Sequence, residues 1–121
     1  MNAALEKLSQ TINGIVQLDP LSKALYATDA SVYRKIPLGV AFPKDLNDLQ
    51  RIIEFCNDHS VGLIPRTAGT SLAGQCVGDG LVVDVSKHFT EIISLDLVKK
   101  QVTVQPGVIR DELNDYLSPH G

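Results

Sequence analysis

The most informative stretch of this chain is Gly62-Leu-Ile-Pro-Arg-Thr-Ala-Gly-Thr-Ser-Leu-Ala-Gly-Gln75. It begins with a short apolar run, Leu63-Ile64, and the residues from Pro65 to Gln75 are mostly small. A strand that leads into such a loop presents successive backbone N–H groups with little side-chain bulk over them. Because such groups bind phosphate and pyrophosphate well, the stretch predicts an anion-binding loop at the end of a strand.

The residues before this loop predict a strand, a helix and a second strand. Residues 38–42 form a short apolar run, and Asp45 is well placed to cap the helix that follows. Within that helix, one apolar face is predicted from Leu46, Leu49, Ile53 and Cys56. Together with the strand at Leu63, this order favours parallel strands in a right-handed βαβ unit.

The residues after the loop predict further strands and a last helix. Residues 81–85, Leu-Val-Val-Asp-Val, are rich in β-branched apolar residues, which is typical of a strand covered on both faces. Residues 92–95 and 101–104 predict an antiparallel hairpin, and 109–117 have the apolar spacing of a helix. The fold class predicted is therefore α/β (α+β), with a small parallel βαβ part followed by antiparallel strands.

The N-terminal residues carry the apolar spacing of a separate helix. Leu5, Leu8, Ile12 and Val16 share one helical face, and Gly14 is a stop signal. We therefore divide the chain into an N-terminal helix, 1–18, and a remaining domain, 19–121. Residues 19–34 give no firm prediction.

Composition excludes several classes of function. The chain has 121 residues and a formal net charge of −3, so nothing draws its surface to nucleic acid or anionic lipid. No apolar run is long enough to span a membrane. The two cysteines, Cys56 and Cys76, do not make a disulfide framework, and we expect a reduced, cytoplasmic protein. The three histidines lack the spacing of zinc ligands, so no metal site is predicted.

Two common phosphate-binding motifs do not fit the loop. Gly69 and Gly74 have the spacing of a Walker A motif, but Gln75 and Cys76 stand where its Lys and Ser or Thr would be. The triple-glycine spacing of a Rossmann dinucleotide motif is absent, and no amphipathic helix follows the loop. A long loop of small residues after a strand is a third design.

In that third design, the loop resembles the pyrophosphate loop of the FAD-linked oxidases of the vanillyl-alcohol oxidase and p-cresol methylhydroxylase type. Within that family it is most similar to the D-lactate dehydrogenase and glycolate oxidase branch. Three further segments carry the resemblance, which covers about residues 19–121: 26–34, 81–86 and 104–108.

The resemblance implies that 19–121 is the first part of a p-cresol methylhydroxylase-type FAD-binding domain. It implies a flavoenzyme that oxidises a small 2-hydroxy acid of the lactate or glycolate type, with hydride passing from substrate to flavin. The expected FAD-binding residues are Pro65, Arg66, Thr67, Ala68, Gly69, Thr70, Ser71, Gly74, Gln75, Pro106, Gly107 and Val108. Amides from Arg66 to Ser71 would bind the pyrophosphate, with added donors from the Thr70 and Ser71 hydroxyls.

Two loop positions differ from the family pattern. Thr67 stands where the family usually has glycine, so either its backbone is in an ordinary extended conformation or the loop is locally different. Some relatives attach FAD covalently through a histidine at the place held here by Thr70. We therefore expect non-covalent FAD.

Family members continue well beyond the length of this chain. We expect an N-terminal piece whose catalytic residues lie after Gly121, which binds FAD weakly, does not turn over substrate and self-associates. The rest of the flavin-binding domain and a substrate cap would be its partners. The alternative is a stand-alone α/β nucleotide-binding or interaction module without catalysis.

Overall fold

The computed structural model of this protein describes all 121 residues. The helices are α1 (Asn2–Thr11), α2 (Pro20–Leu25), α3 (Leu46–Asp58) and α4 (Arg110–Leu117), followed by a 3₁₀ turn at Ser118–His120. The strands are β1 (Ile15–Gln17), β2 (Gly39–Phe42), β3 (Leu63–Arg66), β4 (Leu81–Asp84), β5 (Ile92–Asp96) and β6 (Gln101–Val104).

The main sheet has four strands in the order β1-β2-β4-β3. Strand β4 pairs in parallel with both β2 and β3, whereas β1 is antiparallel to β2. Strands β5 and β6 form a separate antiparallel pair. The predicted combination of a parallel part and then an antiparallel part is confirmed, with β4 inserted between the two strands that α3 connects.

Both faces of the main sheet are covered, as the apolar run in β4 predicts. Because side chains alternate along a strand, Leu81 and Val83 pack on one face with α1 and α3. Val82 packs on the other face with Val40 and Phe42, and Tyr26 covers them from the end of α2. Every residue of β2 and β4 is buried.

The face that helix α3 presents to the core agrees only in part with the predicted one. Its capping prediction is confirmed, since Asp45 accepts a hydrogen bond from the Asp48 amide at 2.9 Å. The buried positions, however, are Asp48, Ile52 and Cys56, while Leu46 is 74% exposed. Cys56 is buried and Leu49 packs against the core as predicted, but the prediction was wrong for Leu46 and Ile53 because it excluded a charged residue, Asp48, from the core.

Asp48 is buried because its carboxylate binds backbone donors of the neighbouring chain. It accepts from the amides of Asn13, Gly14 and Lys44, each at 2.8 Å. Those bonds tie α3 to the turn between α1 and β1. They also set the rotation of the helix, which leaves Ile53 56% exposed.

Two elements in the first 30 residues were not predicted. Helix α1 ends at Thr11, so the prediction that Val16 shares its apolar face was wrong; Val16 lies in β1, which pairs with β2 at the edge of the sheet. Asp19 caps α2 by accepting from the Ser22 amide at 2.9 Å. An Asp-Pro pair at the start of a helix is a recognised signal, so α2 was available from the sequence. None of the chain's helices combines the length and apolar composition that crossing a bilayer requires.

Candidate functional site

The loop of small residues lies at the carboxyl end of the edge strand β3. Pro65 sits inside β3 and has no N–H, which an edge strand tolerates because one of its sides is unpaired. Two hydrogen bonds to the neighbouring strand mark the ends of β3: the Leu81 amide donates to the Gly62 carbonyl at 2.8 Å, and the Val85 amide donates to the Arg66 carbonyl at 3.0 Å. The sheet therefore ends at Arg66, and the loop begins at Thr67.

The backbone amides from Thr67 to Leu72 donate no hydrogen bond to any group of the chain. The next amide, of Ala73, is the first in the loop that is bonded, to Ser71 Oγ at 3.3 Å. Unpaired backbone N–H groups are rare in folded proteins unless water or a ligand meets them. The loop thus presents the run of free donors that anion binding requires, starting one residue later than predicted because Arg66 belongs to the strand.

A cavity of about 440 Å³ lies between this loop and the turn that precedes α4. Thr67 and Ala68 line one side, and Pro106, Gly107 and Val108 line the other. The two segments are about 40 residues apart in sequence, and both were predicted to bind the cofactor. The structure brings them together around one space.

Two glycines allow this arrangement. Gly69 has φ of +68°, a conformation that favours glycine, and a Cβ there would lie 2.7 Å from Arg66 Cζ. Gly107 packs so tightly that a Cβ would lie 2.6 Å from the Phe89 carbonyl oxygen and 2.8 Å from that of Val85. Thr67 is not among the residues with positive φ, so its backbone carries none of the strain that a β-branched residue would meet there.

Arg66 does not face the cavity. Its Nη1 donates to the Thr28 carbonyl oxygen at 2.7 Å, and its Cζ lies 5.0 Å from the centroid of the Tyr26 ring. The guanidinium therefore lies beneath Gly69, against the segment that follows α2. The cationic side chain that lines the cavity is Arg110, at the start of α4.

The second half of the loop uses its polar groups internally. Ser71 Oγ accepts from the amides of Ala73 and Gln75, at 3.3 and 3.2 Å, and hydrogen-bonds the Gln75 side chain. Gly74, with φ of +75°, packs on Tyr33 outside the cavity. Ser71, Gly74 and Gln75 thus shape the loop, and among the predicted side-chain donors Thr70 has no partner in the chain.

The sequence did not identify the residues that support the loop from below. Tyr26 donates its hydroxyl to Asp84 Oδ2 at 2.5 Å, and Asp84 Oδ1 accepts from the Ser86 amide and hydroxyl at 2.8 and 2.6 Å. Burial, together with the bond to Asp84, raises the pKa of the Tyr26 phenol, so the phenol remains a donor at neutral pH. The only sequence signal was an acidic residue at the end of a buried strand.

No group of three or more His, Cys, Asp or Glu side chains is close enough to hold a metal ion. Cys56 and Cys76 are free thiols, and burial raises the pKa of Cys56.

Comparison with known proteins shows the family of this chain. A family model described as an FAD binding domain matches residues 37–121, which include the loop and both sides of the cavity. The chain belongs to this FAD-binding family. Its cofactor is FAD, and the resemblance found in the sequence is confirmed.

Relatives of this FAD-binding domain are hydroxy-acid dehydrogenases. D-2-hydroxyglutarate dehydrogenase of Haemophilus influenzae is 36% identical over 115 residues, which are 93% of this chain and 11% of that protein. The mitochondrial D-lactate dehydrogenase (cytochrome) 1 of Saccharomyces cerevisiae is 32% identical over 108 residues, 86% of this chain and 18% of that protein. The chain thus spans less than a fifth of these relatives.

A solved structure confirms the fold. The p-cresol methylhydroxylase crystal structure with bound substrate superposes with a TM-score of 0.82 at 19% identity, covering 98% of this chain and 24% of that one. The FAD-binding domain described here therefore has the architecture of the p-cresol methylhydroxylase type.

Proposed function

We propose that the amides from Thr67 to Leu72 bind the diphosphate of FAD within an oxidoreductase that acts on a 2-hydroxy acid. The observation that carries this proposal is the run of backbone donors without partners in the chain, at the carboxyl end of a strand. Such donors interact favourably with an anion without a large cost of reorganisation, because the fold has already oriented them. Thr70 Oγ is an additional donor.

The cavity supports a nucleotide in extended contact with both segments. Thr67 and Ala68 bring unbonded backbone amides to one wall, and Gly107 leaves the backbone uncovered on the other wall, where Pro106 and Val108 offer apolar surface. Bound there, FAD would supply the electron-accepting flavin, while this chain contributes binding and orientation. Because Thr70 carries no nucleophilic ring nitrogen, we propose that FAD is held without a covalent bond. Acid precipitation of the holoprotein should leave the flavin in the supernatant.

The substrate class is supported by the names of the relatives. Their printed substrates, D-2-hydroxyglutarate and D-lactate, share a hydroxyl next to a carboxylate. We propose the same class for the protein that contains this domain, with a cytoplasmic location supported by the two free thiols. Catalytic residues are not assigned within these 121 residues.

The test is a titration of the ¹⁵N-labelled chain with FAD, followed by amide chemical shifts. ADP keeps the diphosphate and lacks the flavin, and adenosine lacks both. We expect FAD and ADP to shift the amides of residues 67–72, even if binding is weak, and adenosine to leave them unchanged. Absence of shifts in this loop at millimolar FAD would contradict the proposal.

A matched pair of glycine variants locates the effect. Gly69→Ala combines an unfavourable φ with a contact against Arg66, so we expect at least tenfold weaker binding, about 1.4 kcal/mol. Gly62→Ala is the control, since a Cβ there meets only Gly80 Cα at 4.0 Å. Equal affinities in the two variants would place the nucleotide elsewhere.

Activity distinguishes an oxidoreductase from a binding module without chemistry. In the longer protein under anaerobic conditions, a 2-hydroxy acid should bleach the flavin absorbance. A module would bind FAD and leave the spectrum unchanged. For the 121-residue chain alone we expect no turnover.

We also infer that the isolated chain self-associates at high concentration. Its strand β3 is an uncovered sheet edge, and Leu72 and Val98 are 82% and 95% exposed. Gel filtration over a range of concentrations tests this inference, and a monomeric elution volume at every concentration would contradict it.

A further inference from the structure

The contacts of Arg66 point to a role that its position in the loop sequence does not suggest. We infer that Arg66 is a positioning residue, whose guanidinium holds the backbone at Gly69 from below and so keeps the amides of residues 67–72 in place. This inference deepens the proposed function and rests on it where FAD is concerned. The geometry of the unliganded loop can be tested separately.

The first observation is the direction of the side chain. Arg66 Nη1 donates to the Thr28 carbonyl oxygen at 2.7 Å, and the guanidinium lies over the Tyr26 ring with Cζ 5.0 Å from its centroid. A side chain fixed by one hydrogen bond and one stacked ring cannot also reach the opposite side of the loop. Arg66 is therefore not placed as a direct ligand of the diphosphate.

The second observation is how closely the loop lies against this guanidinium. A Cβ at Gly69 would lie 2.7 Å from Arg66 Cζ and 2.9 Å from Nε. The carbonyl oxygen of Gly69 accepts from the Ala30 amide at 3.1 Å. Gly69 is thus held by Arg66 and by the segment 28–30, while its own amide remains unbonded.

The third observation is that the Tyr26 side chain, over which Arg66 lies, is itself held by contacts with the sheet. The Tyr26 hydroxyl donates to Asp84, whose side chain is 3% exposed and also accepts two bonds from Ser86. The Tyr26 ring packs edge-on against Phe42, with centroids 5.8 Å apart. Arg66 therefore connects the loop to the central strand β4 and to the core of the sheet.

Arginine suits this position better than lysine. A planar guanidinium can stack on a ring and donate in its own plane at the same time, whereas an ammonium offers only a point charge. If Arg66 acts through its shape, a lysine that keeps the charge should not replace it. If it acts through its charge, whether by contact or through space, lysine should largely restore function.

The experiment compares Arg66→Lys, Arg66→Ala and the control Arg51→Ala, which removes an exposed arginine of α3 far from the loop in sequence. Backbone ¹⁵N order parameters are measured without ligand, followed by FAD affinity. We expect wild-type order parameters of about 0.85 in residues 67–72, falling to about 0.6 in both Arg66 variants. FAD affinity should fall about tenfold in both, and Arg51→Ala should match wild type.

Tyr26→Leu supplies a second, independent measurement. Leucine keeps an apolar side chain and removes the ring, so it should loosen the loop as Arg66→Lys does. The double variant Tyr26→Leu/Arg66→Lys should then be little worse than either single variant, because both remove the same support. Additive losses would overturn the inference.

The outcomes separate this inference from the proposed function. A rigid loop in Arg66→Lys, or lysine restoring FAD affinity lost in Arg66→Ala, would overturn the positioning role and favour a charge role. If wild-type protein shows no FAD-dependent shifts, the proposed function fails. The order parameters would still decide whether Arg66 holds the loop.

Discussion

Strand β4 and the loop that follows β3 differ in whether their backbone groups have hydrogen-bond partners in the chain. All four residues of β4 are buried, and Leu81, Val82 and Val83 pair on both sides, with β2 and with β3, while Asp84 pairs with β3. In the loop, the amides from Thr67 to Leu72 have no partner in the chain, and Leu72 is 82% exposed. Burial requires backbone pairing, so only an exposed segment can keep donors free for a ligand.

This difference also explains how each region keeps its shape. Strand β4 is held by its own ladder and by apolar packing on both faces. The loop has no ladder, and its shape depends on groups outside its free amides: the Arg66 guanidinium, the Ala30 amide and the Ser71 hydroxyl. Substitutions in the main sheet and the helices packed on it should therefore change stability, and substitutions in the loop should change FAD binding.

The largest stability effect is expected at Asp48, in helix α3, which packs on the main sheet. Asp48→Ala would leave the Asn13, Gly14 and Lys44 amides without their acceptor. The Gly14 bond is buried and the other two are part-buried, and an unsatisfied buried donor costs about 1–3 kcal/mol, so we expect a loss of about 3 kcal/mol in the free energy of unfolding.

Urea unfolding measures this loss, with Asp58→Ala as the control, because Asp58 is an exposed acidic residue at the end of the same helix. A loss under about 1 kcal/mol for Asp48→Ala would mean that the Asn13–Gly14 turn does not depend on this carboxylate.

The same residue shows why the sequence predicted the elements better than their orientation. The bounds of β2, α3, β4 and the β5–β6 hairpin follow from local apolar patterns, capping and turns, which act over a few residues. The buried face of α3 depends on Asp48 meeting amides about 35 positions away. A pattern that treats every carboxylate as solvated cannot find that face.

The candidate site likewise contains residues that the sequence predicts and residues that only the structure identifies. The small residues of the loop and the Pro106-Gly107 turn were identifiable, because backbone approach demands small side chains wherever it occurs. The roles of Arg66 and Tyr26 were not, since they depend on the segment after α2 folding beneath the loop. From the sequence alone Arg66 was expected to bind FAD, and only its contacts with Thr28 and Tyr26 point to a supporting role.

Gly107 lies where the two regions meet, so a change there should affect both stability and binding. Gly107→Ala would press a methyl group on the Phe89 and Val85 carbonyl oxygens. Overpacking of this kind costs about 1–3 kcal/mol, and the turn should shift away from the loop. Thermal unfolding and the FAD-dependent amide shifts measure the two effects, with Gly62→Ala as the control. Unchanged stability would show that the turn adjusts freely.

A smaller effect, confined to binding, is expected at Thr70. Its hydroxyl has no partner in the chain and its side chain is exposed, so Thr70→Ala should change the free energy of unfolding by less than about 0.5 kcal/mol. Loss of one hydrogen bond to the diphosphate should weaken FAD binding by about threefold. If Thr70→Ala lowered the free energy of unfolding by more than it weakened the free energy of FAD binding, the loop would not differ from the sheet in the way described.

The smallest effect is acid sensitivity, which should belong to the scaffold. Hydrogen bonds from Ser22 lower the pKa of Asp19, and the bond from the Asp48 amide lowers the pKa of Asp45, both from an ordinary value of 3.8. A carboxyl whose folded pKa is depressed contributes stability that is complete above its unfolded pKa and is lost as the pH falls through the folded value. The melting temperature should therefore be nearly constant from about pH 7 to pH 5 and fall below about pH 4.

Asp45→Asn keeps a capping oxygen that does not titrate, so the melting temperature of this variant should fall less steeply in acid than that of wild type. Parallel declines would show that Asp45 does not contribute to the acid sensitivity.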